Sequence, residues 1–362
     1  TAYPTISYKY QPHPSGEGYV IHRRELPQGR YLENEYYPQG HEHAGKVCCQ
    51  KQPLGADQAP VIVQRFMYYP GYTVVLDAIG CQTLYRYANG HITSIENYDQ
   101  EGILCRKEVL IWTIVGSEKN YQIQTRYIAD AQDNILMARS FAYDAQGHMI
   151  KETLYGNLTG ISLAPIVIGQ NGYPLKNGVE SYSISHEYSQ NLLSKTREDN
   201  GKTTLFYYDL QTQLLMAKLI AIKDQIISRE FYSYNSNRQI SKIIHDDGSS
   251  LHCEDMQGVT ERHIKNINYR SNPPALGLAE IIEECYFDFN SNQEKLKKKS
   301  VYHYNEQALV TRQDTYDSTN AYQYSVYHEY DACKRLIAST DEKGALVEKS
   351  YDDNNNLIKT TS

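Results

Sequence analysis

The sequence predicts an all-β protein in which short antiparallel hairpins follow one another into a long curved sheet. Three observations carry this prediction. Tyrosine is unusually abundant, with 34 Tyr against 6 Phe and 1 Trp in 362 residues. Its ring packs on neighbouring strands while its hydroxyl reaches water or a polar partner. A Tyr-Asp pair recurs, each time followed by a turn and an apolar strand start. A second phrase, Asp-x-x-Gly, recurs between those pairs. With only 40% hydrophobic residues, the chain suits many thin sheets better than one thick core.

Taken in order, residues 1–60 read as an irregular β lead-in rich in Pro and Gly, with Pro-Gln-Gly at 27–29 and again at 38–40. Residues 61–362 read as the repeating segment. Asp77-Ala78-Ile79-Gly80 precedes Tyr87. Tyr98-Asp99 is followed by Gly102 and Leu104, and Tyr143-Asp144 by Gly147 and Met149-Ile150. Residues 156–180 then break the period with a small apolar stretch between Gly-rich turns. Asp199-Asn200-Gly201 precedes Tyr208-Asp209, which leads to Leu214-Leu215. Tyr234-Asn235 leads to Ile240, with Asp246-Asp247-Gly248 beyond. A second break, 268–282, surrounds Pro273-Pro274, and Tyr304-Asn305 leads to Leu309-Val310.

The closing copies are the clearest. Tyr330-Asp331 and Tyr351-Asp352 lie 21 residues apart, Leu336 and Leu357 each follow their Tyr by six, and Asp341-Glu342-Lys343-Gly344 stands between. Gly80, Gly201 and Gly344 each stand seven residues ahead of a Tyr. Asp bonds its own backbone in tight turns, and Gly takes φ > 0 without strain. The mixed run from Ala345 to Tyr351 suits a strand of about 4–8 residues. One such hairpin is marginal alone, but stacked neighbours satisfy each other's edges. Tyr at one fixed place per unit predicts a cross-strand aromatic ladder, worth roughly 0.2–1 kcal/mol per pair.

This set of motifs resembles the YD repeats of the Rhs and Tc-toxin family, over roughly residues 61–362. The resemblance implies a β-strip that winds into a hollow shell around a toxic C-terminal polypeptide. Related repeats occur in teneurin-like adhesion proteins. In that family a self-cleaving aspartyl-type segment follows the last repeats, with an Asp-Pro-Leu-Gly-like end. This chain has no such end, so no catalytic residue carries over. The expected partners are a downstream effector polypeptide or the remainder of the same shell. The runner-up function is an adhesion or ligand-binding surface, and a third is a carbohydrate-active enzyme on a β scaffold.

The remaining chemistry argues for no enzyme, no cofactor and no metal. The net charge of −7 is spread along the chain, and without clustered Lys and Arg nucleic acid is not an expected partner. The one basic run, Lys295 to Lys299, reads as a solvated strand or loop. Gly40 to Lys46 has phosphate-loop spacing, but Val47 stands where Ser or Thr is needed, so it reads as a surface turn. Gly201-Lys202-Thr203 has the right ending, but Thr196 replaces the first Gly. His41 and His43 would share a strand face yet lack a third ligand. His41-Glu42, His186-Glu187 and His328-Glu329 lack the second His of a zinc protease. Glu283-Glu284 and Asp246-Asp247 are strand or turn neighbours that face apart.

Seven Cys are scattered without zinc spacing and predict mostly free thiols and synthesis in a reducing cytosol, compatible with later export. No run is long and apolar enough to span a membrane, and Thr1-Ala2-Tyr3-Pro4 is not a signal peptide. A start without Met suggests a fragment of something longer. Leu336-Ile337 and Ile243-Ile244 set apolar residues on both strand faces, which fits a wall with two moderately apolar sides.

Overall fold

The computed structural model describes residues 6–16, 18–26, 30–53, 59–116, 120–352 and 356–362. The first Pro-Gln-Gly, at 27–29, and the centre of the 352–356 turn lie outside them. The described residues form 26 strands and no helix, as an all-β antiparallel fold requires. Every strand pairing described is antiparallel and joins strands adjacent in sequence. The chain divides into two compact units, 2–186 and 187–362.

The first unit begins with β1 (Ser7–Pro12), β2 (Tyr19–Glu25), β3 (Tyr31–Tyr36) and β4 (Val47–Gln52). It continues through β5 (Val61–Tyr69), β6 (Tyr72–Asp77), β7 (Gln82–Ala88) and β8 (His91–Tyr98). Next come β9 (Leu104–Val115), β10 (Asn120–Ala129), β11 (Ile135–Tyr143) and β12 (Met149–Gly156), and then β13 (Glu180–Ser189), which pairs with β12. Its small core is Ala138, Tyr155 and Ile166, with Tyr127, Ile135 and Val179 packed around them.

The second unit holds β14 (Leu192–Glu198), β15 (Lys202–Tyr208), β16 (Leu215–Ile222), β17 (Gln225–Tyr234) and β18 (Ile240–Asp246). It goes on with β19 (Arg262–Tyr269), β20 (Ala279–Asp288), β21 (Gln293–Tyr304) and β22 (Val310–Tyr316). It ends with β23 (Tyr322–Tyr330), β24 (Leu336–Asp341), β25 (Leu346–Tyr351) and β26 (Leu357–Thr361). Its core is Ala217, Leu219 and Phe231, again small. Both β9 and β21 run to 12 residues, longer than the repeat alone suggests. Two strands are half-buried on both sides throughout: all six residues of β3 and all six of β24, Leu336 and Ile337 included.

The sequence breaks resolve into three different things. Residues 157–179 carry no strand and are fastened at both ends. Glu180 accepts hydrogen bonds from the Leu158 and Thr159 amides at 2.7 and 2.8 Å. Gln124 donates to the Asn171 carbonyl at 2.7 Å, and Ile166 enters the core. This segment braces β10 to β12. The stretch 268–282 is instead the end of β19, a nine-residue loop closed by the Arg270 amide on the Leu278 carbonyl at 2.9 Å, and the start of β20. The third break, 247–261, is not legible in the sequence. There Asp246-Asp247-Gly248 opens a long loop rather than the tight turn its letters suggest.

Candidate functional site

Both repeated phrases build the same turn in most of their copies; Asp199-Asn200-Gly201 instead closes a tighter turn, with the Gly201 amide on the Glu198 carbonyl at 2.9 Å and the Lys202 amide on Asn200 Oδ1 at 2.8 Å. At Asp331 the carboxylate Oδ1 accepts the amides of Cys333 and Arg335, each at 2.9 Å. The Asp331 amide donates to the Arg335 carbonyl at 3.0 Å, and Lys334 takes φ 64°. Asp341, in the Asp-x-x-Gly phrase, does the same with Lys343 and Ala345, and Gly344 takes φ 83°. Asp99 with Gly102 and Asp144 with Gly147 repeat it, as do Asp77, Asp130, Asn235, Asn305 and Asp317. Asp352 accepts the Asn356 amide at 2.8 Å. Asp209 is one residue longer: its carboxylate takes Gln211 and Thr212, and its amide reaches Leu214.

The six-residue spacing from Tyr to Leu is a cross-strand pair. Tyr330 lies opposite Leu336, Tyr351 opposite Leu357, Tyr143 opposite Met149 and Tyr98 opposite Leu104, each with a one-residue register skip beside the Tyr. At the longer Asp209 turn Tyr208 meets Leu215 instead.

Among the described residues the tyrosines do not form the continuous aromatic ladder expected from their fixed place in each repeat unit. Ring pairs occur within hairpins, as at Tyr69–Tyr72 and Tyr316–Tyr322, and at isolated places between them, as at Tyr37–Tyr68 and His91–Tyr121. The repeat tyrosines act through their hydroxyls, each donating to a carbonyl at the start of the preceding strand. Tyr351 reaches Leu336 at 3.0 Å, Tyr330 reaches Val310 at 2.9 Å and Tyr304 reaches Ala279 at 2.6 Å. Tyr269 reaches Ile240, Tyr234 reaches Leu215, Tyr208 reaches Leu193 and Tyr143 reaches Ile123. Burial raises the hydroxyl pKa of Tyr143, Tyr208, Tyr234, Tyr304 and Tyr330. Tyr98 and Tyr87 depart from the rule: Tyr98 donates to Glu96 at 2.8 Å, and the Tyr87 hydroxyl bonds the Thr73 hydroxyl.

Sequence reasoning misses one buried cluster. Arg229 and Asp246 are 0% and 2% exposed. Arg229 donates Nε and Nη2 to the two Asp246 oxygens at 2.6 and 3.0 Å, and its remaining donors to the carbonyls of Ser250, His252 and Asp255. Arg262 adds Nε on Asp246 at 2.8 Å and Nη2 on the Cys253 carbonyl at 2.6 Å. Burial opposes ionisation of Asp246, but these bonds prevail and hold its pKa down. A Cβ at Gly248 would stand 2.3 Å from the Arg229 guanidinium. The cluster pins the 247–261 loop and offers no free acid or base.

The other candidate groups are likewise committed. His41 and His43 lie in a turn rather than on a strand. His41 stacks on Tyr37 at 4.3 Å, and His43 Nε2 donates to the Tyr68 carbonyl at 2.6 Å. His303 and Ser325 both bond Asp314 rather than each other, so they form no nucleophile–base pair. The basic run lies on β21, where Lys298 and Lys299 face Glu284 and Glu283 across the sheet. All seven cysteines are free thiols.

The turns, the tyrosine bonds and the sequential meander can be set beside known structures. Neither a family model nor a curated protein matches the sequence. The crystal structure of TcdB2-TccC3 without its hypervariable C-terminal region superposes over 94% of this chain, with a TM-score of 0.50 at 12% identity. The chain shares its fold with the Tc toxin TcdB2-TccC3. It spans 19% of that protein's length. The Photorhabdus luminescens Tc holotoxin pore is also similar, with 94% of this chain and 19% of that chain covered at 13% identity and a TM-score of 0.48. The TcdB2-TccC3 fold is the one implied by the YD-repeat resemblance. No helix among the described residues is long and apolar enough to cross a membrane.

Proposed function

We propose that this chain is a non-catalytic wall segment of an Rhs/YD-repeat toxin-type protein, which encloses or carries an effector polypeptide encoded downstream. The observation that carries the reading is the TcdB2-TccC3 fold over 94% of the chain. The side-chain chemistry supports it. Asp residues serve turns, tyrosine hydroxyls serve strand starts, and the buried Arg–Asp cluster serves a loop. The half-buried strands give a wall that meets polypeptide or water without a large dry patch. On this reading the protein is made in the cytosol and delivered outside the cell. The test is limited proteolysis of the full-length protein beside its isolated C-terminal region. The expected result is slower cleavage of that region in the intact protein. Equal rates would overturn enclosure and leave an exposed adhesion surface as the better reading.

A further inference from the structure

Glu35 on β3 lies opposite Cys49 on β4, and the register then skips so that Tyr36 meets Val47. Cys48 is the skipped residue. In a regular strand adjacent side chains face apart, but a bulge re-aims one of them. The ligand atoms of Glu35, Cys48 and Cys49 therefore lie within 4.8 Å of one another. Cys49 is 4% exposed, and its Sγ donates to Glu35 Oε2 at 3.0 Å. A second bulge acts across β1 and β2, where Lys9 meets Arg23 and Tyr10 meets Ile21, skipping His22. His22 Nε2 stands 3.9 Å from Glu33, which shares a strand face with Glu35. His22 Nδ1 is shielded from solvent and has no hydrogen-bond partner. Lys51, opposite Glu33, bonds Glu35 Oε1 and leaves Oε2 turned to the sulfurs.

We propose that Glu35, Cys48 and Cys49 form a binding site for a thiophilic divalent cation of the zinc class, with the His22 imidazole on the neighbouring strand β2 for a fourth position. Two sulfurs, a carboxylate and an imidazole are the donor set a tetrahedral zinc site takes. The charges balance as well. Two thiolates and one carboxylate are offset by a divalent cation and the Lys51 ammonium, so a half-buried site is left neutral. Lys51 also fixes the Glu35 carboxylate from behind, as outer-shell partners do at metal sites. Adjacent cysteines have no zinc spacing in sequence. Two register skips create the site.

The test titrates the reduced full-length chain with Co2+ alone and follows its absorption. One equivalent is expected to give thiolate-to-cobalt charge transfer with tetrahedral d–d bands, both bleached by Zn2+. Cys48→Ser and Glu35→Gln should each weaken Co2+ binding by about tenfold or more, while Cys105→Ser, an exposed thiol elsewhere in the same unit, leaves it unchanged. Should Cys48→Ser disturb the far-UV circular dichroism, Glu35→Gln and His22→Gln carry the test. Octahedral bands alone overturn the site. So does a charge-transfer band that follows Cys105→Ser, or one that survives the Glu35 and Cys48 substitutions unchanged.

Discussion

A single hydroxyl explains why the repeat specifies Tyr rather than Phe. The Tyr330 side chain is half-buried, and its O–H donates to the Val310 carbonyl at 2.9 Å. Tyr330→Phe keeps the ring and orphans the carbonyl, and should cost about 1 kcal/mol. Denaturant midpoints would show it, with Tyr324→Phe, on an exposed side chain, expected to be near neutral. The turn makes a second residue-scale demand, since its fourth position has φ > 0. Gly344 meets that demand freely, whereas Ala308 sits there at φ 59°. An L-residue loses roughly 1–2 kcal/mol in that region, against about 0.5–1 kcal/mol for the extra freedom of an unfolded Gly. Ala308→Gly should therefore stabilise the chain by about 0.5–1 kcal/mol, read from the same midpoints.

At the scale of elements, what the sequence reveals depends on how local the cause is. Tyr330, Asp331 and Leu336 act within one turn, so their spacing is readable, and the same holds from Tyr98 to Leu357. In the closing copies the two phrases nevertheless look different on paper, because there only the second carries Gly. Their identity appears only when Lys334 and Gly344 are seen in the same backbone conformation. Arg229 is opaque for the opposite reason. Its partner Asp246 is 17 positions away, where the Asp-Asp-Gly letters point to a turn. The bulges at His22 and Cys48 are likewise invisible, since a register skip is decided by both strands of a pair. The buried cluster gives the element-scale prediction. Arg229→Met leaves Asp246 with Arg262 as its only charged partner and strips the Ser250, His252 and Asp255 carbonyls of their guanidinium donors. Breaking such a pair from one side costs about 3–5 kcal/mol. Chymotrypsin and glutamyl endopeptidase digestion should then show first cuts inside 247–261, after Leu251 or Met256 and after Glu254, and retention of the wild-type pattern would refute the pinning role.

On the scale of the whole molecule, the recurrence of one turn gives the protein a shared response to acid. Hydrogen bonds within these turns favour the ionised carboxylate. At Asp209 the Thr212 amide is the largest influence, at Asp317 the Thr319 hydroxyl and at Asp130 the Asn134 side chain; each lowers the pKa. At Asp144 and Asp331 burial pulls the other way and is outweighed by bonds from His148 and Arg335. Asp288, bonded by Lys295 and Ser291, falls to about 2. A carboxyl whose pKa is lower folded than unfolded contributes stability that is fully present above its unfolded value of about 3.9. That contribution is lost as pH falls through the folded value. These carboxylates lie near solvent, so each contribution is small and screened by salt, but those of Asp130, Asp144, Asp209, Asp317 and Asp331 share one sign and fall in both units. The expected outcome is a denaturant midpoint that stays level down to about pH 5 and then falls steadily toward pH 2. Asp209→Asn should flatten part of that fall, because an amide keeps an acceptor oxygen for the Thr212 amide yet does not titrate in this range. A midpoint that rose on acidification, or an Asp209→Asn profile parallel to the parent's, would show that the turns are held by backbone geometry alone.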